Sequence, residues 1–456
     1  MTQDVVLELA RAIRNAGGRA LVVGGCVRDE LLGRTPKDYD VEAYGLDAAA
    51  LRRLLEGFGR VDTVGESFTV YKVAGLDVAL PRRESKSGRG HKGFTVEGDP
   101  HLSVEEAARR RDFTINAIAR DPLTGEILDP FNGRADLAAR RLRVVDHKTF
   151  GDDSLRVLRA LQFAARFDLT VDDATRALLR SIPLDDLPAE RVWGEVEKLL
   201  LQAPRPSVGL TLALELGVVD RLWPELRPLV GCPQEPEWHP EGDVWVHTLL
   251  VVDQARQRIA DLDRGRAAAV MLGAVCHDLG KPATTAVSDG RIRSLGHEEA
   301  GVAPATALLD RLNVQTMDGF DVRWAVLGIT AHHLKPGAFM KATPPASDGA
   351  FRRLAQKVDM ELLARVAEAD CEGRGGGFDC SSMGRFLERA RALGVENRPP
   401  SPIVLGRHLL ELGMTPGPEV GVILKQIYER QLDGEVVTLD DGLALARALV
   451  TSRSRT

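Results

Sequence analysis

Hydrophobic and polar positions alternate in different ways along the chain. The opening "MTQDVVLELARAIRNAGG" spaces its apolar residues at helical intervals with early acids, which predicts an amphipathic helix unlike a secretory leader. "ALVVGG" (20–25) and "SFTVYKVAGLDVAL" (67–80) are β-branched runs punctuated by glycine and predict strands. Beyond the first third the period becomes helical, in "DDSLRVLRALQFAARF" (152–167) and "ERVWGEVEKLLL" (190–201). "LVGCPQEPEWHPEGD" (229–243) is dense in proline and acids and reads as a connector. A second helical block follows, "NRPPSP" (397–402) breaks it, and a short helical tail remains. The pattern divides the chain at 1–143, 144–228, 229–395 and 396–456.

Composition narrows this picture. At 456 residues the chain exceeds what one core serves. Aromatics make up only 5%, which favours helical packing over a large antiparallel fold. The longest apolar run, Ala267 to Cys276, is too short to span a bilayer, so no membrane partner is expected. The five cysteines are scattered without Cys-x-x-Cys spacing, which reads as reduced thiols in the cytoplasm. A net charge of −6 confines nucleic-acid contacts to local basic patches.

The first candidate chemistry lies in "LVVGGCVRDELLGRTPKDYDVEAYGL" (21–46). If Asp38 and Asp40 lie on a strand, a period of two puts both carboxylates on one face. Such a pair repels itself unless a cation intervenes, and an all-oxygen set suits Mg²⁺ with phosphate oxygens and water. Gly24-Gly25 lets backbone N–H groups approach an anion, and Arg28 can grip a phosphate in bidentate fashion. Asp77, within "GLDVAL" on another expected strand, is a candidate third carboxylate.

GGxVRD followed by Asp-x-Asp resembles the polymerase-beta-type nucleotidyltransferases, in the branch of bacterial-type CCA-adding enzymes and poly(A) polymerases. Three further blocks follow in that family's order: "RRRDFTINAIARDPLTGEILDPFNGRADL" (109–137), "DDSLRVLRALQFAARF" and "ERVWGEVEKLL". The resemblance implies an α+β head with a small mixed sheet and a polymerase-beta-like fold, followed by an all-α neck, a further domain and a helical tail. It implies that Asp38 and Asp40 hold Mg²⁺, that Gly25 and Arg28 seat the triphosphate, and that Arg111 and Asn116 contact sugar and phosphates. Asp153 and Arg156 would face the incoming base, with Arg159 one turn on. At i and i+3 on a helix an acid and an arginine share a face, and that pair can accept from and donate to the edges of C and A but not U and G. The sequence departs from the family at Asp152, usually Glu, and at Gln162, usually Arg. "LPRRESKSGRGHKGF" (80–94) reads as a flexible loop whose Arg82, Arg83, Lys86, Arg89 and Lys92 could touch RNA.

A second set of ligands lies downstream: His247, His277-Asp278 in "CHDLGK", His297, His332-His333 and Asp370. A lone histidine on an apolar helix is usually a packed one, but most of the chain's ten fall within this stretch. The order H…HD…D resembles the HD-domain phosphohydrolases, which implies a divalent metal (Mg, Mn, Ni or Co) held by His247, His277, Asp278 and Asp370. Lys281 would neutralise phosphate, and His297, His332 and His333 would support the site or hold a second metal. Together the resemblances imply an enzyme that adds C and A from CTP and ATP to the tRNA 3′ end, joined to a phosphatase or 2′,3′-cyclic phosphodiesterase. An A-adding or CC-adding partner enzyme, a poly(A) polymerase and a non-catalytic RNA-binding protein remain as alternatives. The sequence leaves the oligomeric state open.

Overall fold

The computed structural model describes residues 2–36, 38–64, 70–86, 94–375 and 377–453. The chain divides into two compact units, one of residues 1–203 and 208–222, the other of 204–207 and 223–456.

The first unit begins with α1 (Thr2–Asn15), β1 (Arg19–Val23), α2 (Gly25–Leu31), β2 (Tyr39–Tyr44), α3 (Ala48–Glu56), β3 (Asp62–Val64), β4 (Val70–Val73) and β5 (Leu76–Ala79). A hairpin of β6 (Arg82–Lys86) and β7 (Phe94–Gly98) follows, then α4 (Val104–Arg109), β8 (Ala119–Arg120), β9 (Ile127–Leu128) and α5 (Gly133–Ala138). Seven strands form one mixed sheet in the order β3-β4-β5-β2-β1-β8-β9. Only β2 and β5 run parallel, in a register that sets Asp40 beside Asp77.

Alternation along β1 sorts its side chains between two cores. Ala20 and Val22 join Leu9 and Ile13 of α1 and Leu51 and Leu55 of α3. Leu21 and Val23 join Ala107 of α4 on the opposite face. The sheet is therefore covered on both sides, and its functional groups emerge where β1 and β2 end.

The helical part of this unit contains α6 (Leu155–Phe167), α7 (Asp173–Ser181), α8 (Ala189–Gln202), α9 (Pro206–Glu215) and α10 (Val218–Leu222). Phe113 anchors α6 edge-on to Phe150 and Phe163, at 5.4 and 5.8 Å between ring centres. These three rings are buried.

The second unit is built around α12 (Arg264–Cys276), which is buried over nearly its whole length. Its ten-residue apolar run is thus a core helix enclosed by α11 (Val244–Arg256), α16 (Val322–His332) and α19 (Met360–Gly373). No helix among the described residues is long and apolar enough to cross a membrane. Short helices α13 (Lys281–Thr284), α14 (His297–Ala300) and α15 (Val302–Arg311) link these elements. Helices α17 (Lys335–Lys341), α18 (Asp348–Leu354) and α20 (Ser381–Ala392) complete the body, and α21 (Gly406–Glu411), α22 (Pro418–Asp433) and α23 (Leu439–Arg453) form the tail around a core of its own.

Several sequence expectations need correction. Within the basic stretch 80–94, Arg82–Lys86 form a strand that pairs with Phe94–Gly98, and the loop reading otherwise falls on residues 87–93, outside the described residues. Its Arg89 and Lys92, and the side chain of Lys86, lie outside the described residues. The helical regions also hold strand pairs, including a hairpin at Thr285–Ser288 and Arg291–Ser294. Cys371 and Cys380 form a disulfide. They are nine positions apart, and the chain turns back between α19 and α20 to join them; spacing rules for short motifs do not register such a return. Cys26, Cys232 and Cys276 are free and buried.

Candidate functional sites

The glycine turn admits two arginines. Gly24 has a φ of 79°, and a Cβ there would stand 2.7 Å from Arg111 Nη1. A Cβ on Gly25 would meet Arg28 Nη2 at 3.4 Å. The side chains these glycines admit are tied together. Arg28 Nη1 donates to Asn116 Oδ1 at 2.6 Å, Asn116 Nδ2 donates to Asp112 Oδ1 at 2.9 Å, and Arg159 Nε donates to Asp112 Oδ2 at 2.7 Å. Arg28 also lies over the Phe167 ring, 4.2 Å from its centre. Burial lowers its pKa against the opposing pull of Asp29.

Asp38 precedes β2 instead of lying on it, so it and Asp40 are not brought together by strand alternation. Both are exposed and both line one cavity of about 600 Å³ with Gly25, Arg28, Arg111 and Asn116. Asp77 is Asp40's neighbour across the sheet, but its carboxylate pairs with Lys72 at 2.8 Å. Desolvation raises the Asp40 pKa; Arg111 opposes the shift, and Asp77, Asp38 and Glu42 reinforce it. This cluster of acids is one that a bound cation would relieve, so it fits the divalent metal that nucleotidyltransferases use.

Among the described residues, eight Arg and Lys side chains line this cavity against four Asp, a balance suited to a polyphosphate. Arg110, Asp112, Arg166, Arg191 and Lys198 belong to it and were not singled out from sequence. Glu42 was also missed. It is buried and holds Arg110 and Arg111 at 3.0 and 2.9 Å. Its position two residues after Asp40, within an otherwise apolar strand, was the available signal.

Asp153 is not on α6. It has an extended backbone just before the helix, whereas Arg156 lies in the first turn. The two are therefore not an i,i+3 helix pair. Asp153 is 3.2 Å from Arg191, and Arg156 Nη2 donates to the Arg110 carbonyl at 2.7 Å. Both nevertheless face the cavity with Arg159. Gln162 is buried there and accepts a hydrogen bond from Arg166 at 2.9 Å. Asp152 lines a second cavity of about 480 Å³, together with Arg82, Arg83, Arg109 and the shared Arg110 and Arg156.

In the second unit His247 comes from α11, His277-Asp278 follow α12, and Asp370 comes from α19. His247 Nε2 lies 3.1 Å from Asp370, and His277 Nε2 lies 3.1 Å from Asp278. His297 and His333 join them through Asp278, at 3.4 and 3.8 Å. Nδ1 of His277, His297 and His333 faces the carbonyls of Ala274, Ser294 and Thr330, at 2.9, 2.7 and 3.0 Å. Those carbonyls require an N–H at Nδ1, which leaves Nε2 as a free ligand atom.

Among the described residues, three groups of side chains here could hold a metal: His247, His277 and Asp370; Asp278, His297 and His333; and His239, Glu241 and His247. Both Asp278 oxygens and His277 Nε2 are buried without a well-aligned hydrogen bond, although Lys281 Nζ lies 2.7 Å from Asp278. Such orphaned atoms fit a metal site. Burial raises the Asp278 pKa, but His277 and Lys281 outweigh it and hold the carboxyl well below the usual range. Burial, with His277 beside it, pushes His333 down to about 3. His332 is not part of these groups. The segment 229–243 runs as turns and coil into α11, and it also supplies His239 and Glu241, the latter 2.7 Å from His247 Nδ1.

The first unit is thus a nucleotidyltransferase-type head, with paired acids at the end of a sheet and a cationic cavity under its helices. Residues 20–143 match the model of the poly A polymerase head domain, and 168–229 match that of a probable RNA and SrmB-binding site of polymerase A. The chain is 37% identical to the multifunctional CCA protein of Xanthomonas campestris pv. campestris, over 88% of this chain and 95% of that one. It is 39% identical to the protein of that name from Thioalkalivibrio sulfidiphilus, over 78% and 86%. Its fold is similar to the Bacillus stearothermophilus CCA-adding enzyme in complex with CTP, with a TM-score of 0.66, 22% identity and 98% coverage of both chains. It also resembles the Thermotoga maritima CCA-adding enzyme complexed with tRNA, with a TM-score of 0.58, 18% identity and coverage of 98% and 95%. The chain belongs to the multifunctional CCA protein family.

Proposed function

We propose that this protein adds C and A, from CTP and ATP, to the 3′ end of tRNA without a nucleic-acid template. The observation that carries the reading is the single cavity in which Asp38 and Asp40 meet a wall of arginines. Asp38 and Asp40 would hold Mg²⁺, with Asp77 beside them; bound there, the ion favours the ionised 3′-hydroxyl and balances charge on the triphosphate. Arg28, fixed by Asn116, and Arg111, fixed by Glu42, bind and orient the phosphates. Asp153 accepts from the amino group of C or A, and Arg156 donates to the ring acceptor, with Arg159 and Arg191 steadying them. The second cavity, rich in arginine and sharing Arg110 and Arg156, receives the RNA end. An enzyme that acts on tRNA would work in the cytoplasm, which is the location this reading implies.

The histidine cluster of the second unit is a metal-dependent phosphohydrolase site for phosphate-blocked RNA ends, as a phosphatase or a 2′,3′-cyclic phosphodiesterase. His247, His277, Asp278 and Asp370 would hold the metal, and their mixed nitrogen and oxygen set suits Mn, Ni or Co as well as Mg. Bound there, it supplies a water acidic enough to attack phosphorus near neutral pH. Lys281 balances phosphate charge.

The test uses purified protein, Mg²⁺ and tRNA transcripts ending before CCA, after C and after CC, each given CTP, ATP or both. Completed CCA on the shortest transcript is expected. Addition of A only after CC would mean a split pathway, long A tails a poly(A) polymerase, and no extension would overturn the reading.

A further inference from the structure

The cavity over the histidine cluster has a polar floor and an apolar rim. Asp278, His297, His333 and Asp370 form the floor, and Trp238 and Leu334 line the same cavity. Trp238 is 48% exposed and Leu334 43%, so neither is there to fill a core. An exposed tryptophan at the mouth of a polar site is the informative exception to hydrophobic burial. Its position is set by the chain: Trp238 N–H and His239 N–H both donate to the Glu235 carbonyl, at 3.0 and 2.9 Å. His239 in turn packs edge-on against His247, 4.8 Å between ring centres. The indole is thus tied to the ligand cluster through a single turn.

The cavity holds about 250 Å³, slightly below the usual range for small-molecule pockets. That admits the phosphate and ribose of one nucleotide and leaves its base at the open rim. Resting on the phosphohydrolase reading above, we infer that Trp238, with Leu334, is a base-stacking platform, so that the site takes the terminal nucleotide of an RNA end rather than any phosphate ester. The phosphate lies toward the His/Asp floor and Lys281, and the base lies flat on the indole. Stacking is indifferent to base identity, so all four bases are accepted.

The experiment compares adenosine 2′,3′-cyclic phosphate with glycerol 2-phosphate, which has no base, on the metal-loaded full chain. Wild type is compared with Trp238→Ala and Trp238→Phe, each with a thermal midpoint like that of wild type. Trp238→Ala should raise KM for the adenosine substrate on the order of tenfold, with kcat and glycerol 2-phosphate kinetics unchanged. Trp238→Phe should restore most of the loss. A second readout is quenching of indole fluorescence by adenosine 2′-monophosphate without added metal, expected in wild type and absent in Trp238→Phe. Equal effects on both substrates, or none, would overturn the stacking role and leave the hydrolase intact. Trp238-dependent quenching in a protein that hydrolyses neither substrate would support the platform and sink the phosphohydrolase reading. Loss of both hydrolysis and quenching would overturn both.

Discussion

Glu42 carries one of the sharpest electrostatic assignments. It is 4% exposed, accepts from Tyr44 Oη at 2.9 Å and faces two guanidinium groups. Glu42→Gln keeps the shape but removes the buried carboxylate that faces Arg110 and Arg111, at a cost of about 3–5 kcal/mol. Urea unfolding of this variant should show a lower midpoint, the shift multiplied by m giving that loss. Burial raises the Glu42 pKa, but the arginines and Tyr44 outweigh it, and the net shift is downward. The stability it contributes is therefore fully present above its unfolded pKa of 4.5 and is lost as pH falls through the depressed folded value. Acid titration of wild type and Glu42→Gln should converge at low pH; parallel curves would count against the assignment. In the proposed function Asp153 acts on selectivity instead. Asp153→Ala removes the acceptor for the amino group of C and A, so UTP and GTP incorporation relative to CTP and ATP should rise by about 10² or more. Single-turnover assays with each nucleotide measure this, and unchanged selectivity would move base reading to other residues.

At the scale of elements, the turn from β1 into α2 sets the spacing between strand and arginines. A Cβ at residue 24 would demand both a positive φ and room already taken by Arg111. Gly24→Ala should cost about 1–2 kcal/mol in backbone strain and displace a guanidinium that Glu42 pins. KM for CTP and ATP should rise about tenfold or more, a loss of phosphate contact. A pure stability loss with unchanged KM would show that the glycine serves only the turn. The strands, α6 and the buried α12 were legible because apolar periodicity reports an element's own buried face. The pairing of Arg82–Lys86 with Phe94–Gly98 was not legible because charge and glycine hide its alternation. The segment at 229–243 is an irregular link, as its composition indicates, but its delivery of His239 and Glu241 to His247 was not legible. Proline and acids mark a turn, but where that turn lands is fixed by α11 and α12.

At the scale of the whole molecule, two units with separate cores carry two separate clusters. Asp38→Ala should abolish nucleotide addition while leaving phosphohydrolase turnover in place. His277→Ala should do the reverse. A common loss in either variant would mean that the units do not fold and act independently, and assays of both activities on both variants decide it. The net charge of −6 adds a related expectation. Because two cavities of an otherwise acidic chain carry local clusters of arginine, tRNA binding should weaken with salt at the modest slope of a few phosphate contacts.

The sequence by itself determined the chemistry available: the glycine turn, the Asp-x-Asp pair, the ordered arginine blocks and the H…HD…D ligands. Each motif is a short string or an ordered set of them, and its resemblance to known families names what it is expected to bind. The tertiary structure decided the partnerships. It turned Asp153 to Arg191, placed Asp77 on Lys72, excluded His332 from the ligand groups, brought in Glu42, His239 and Glu241, and joined Cys371 to Cys380. Those contacts depend on where helices and strands far apart in the chain converge, and burial there fixes which charges must be paired.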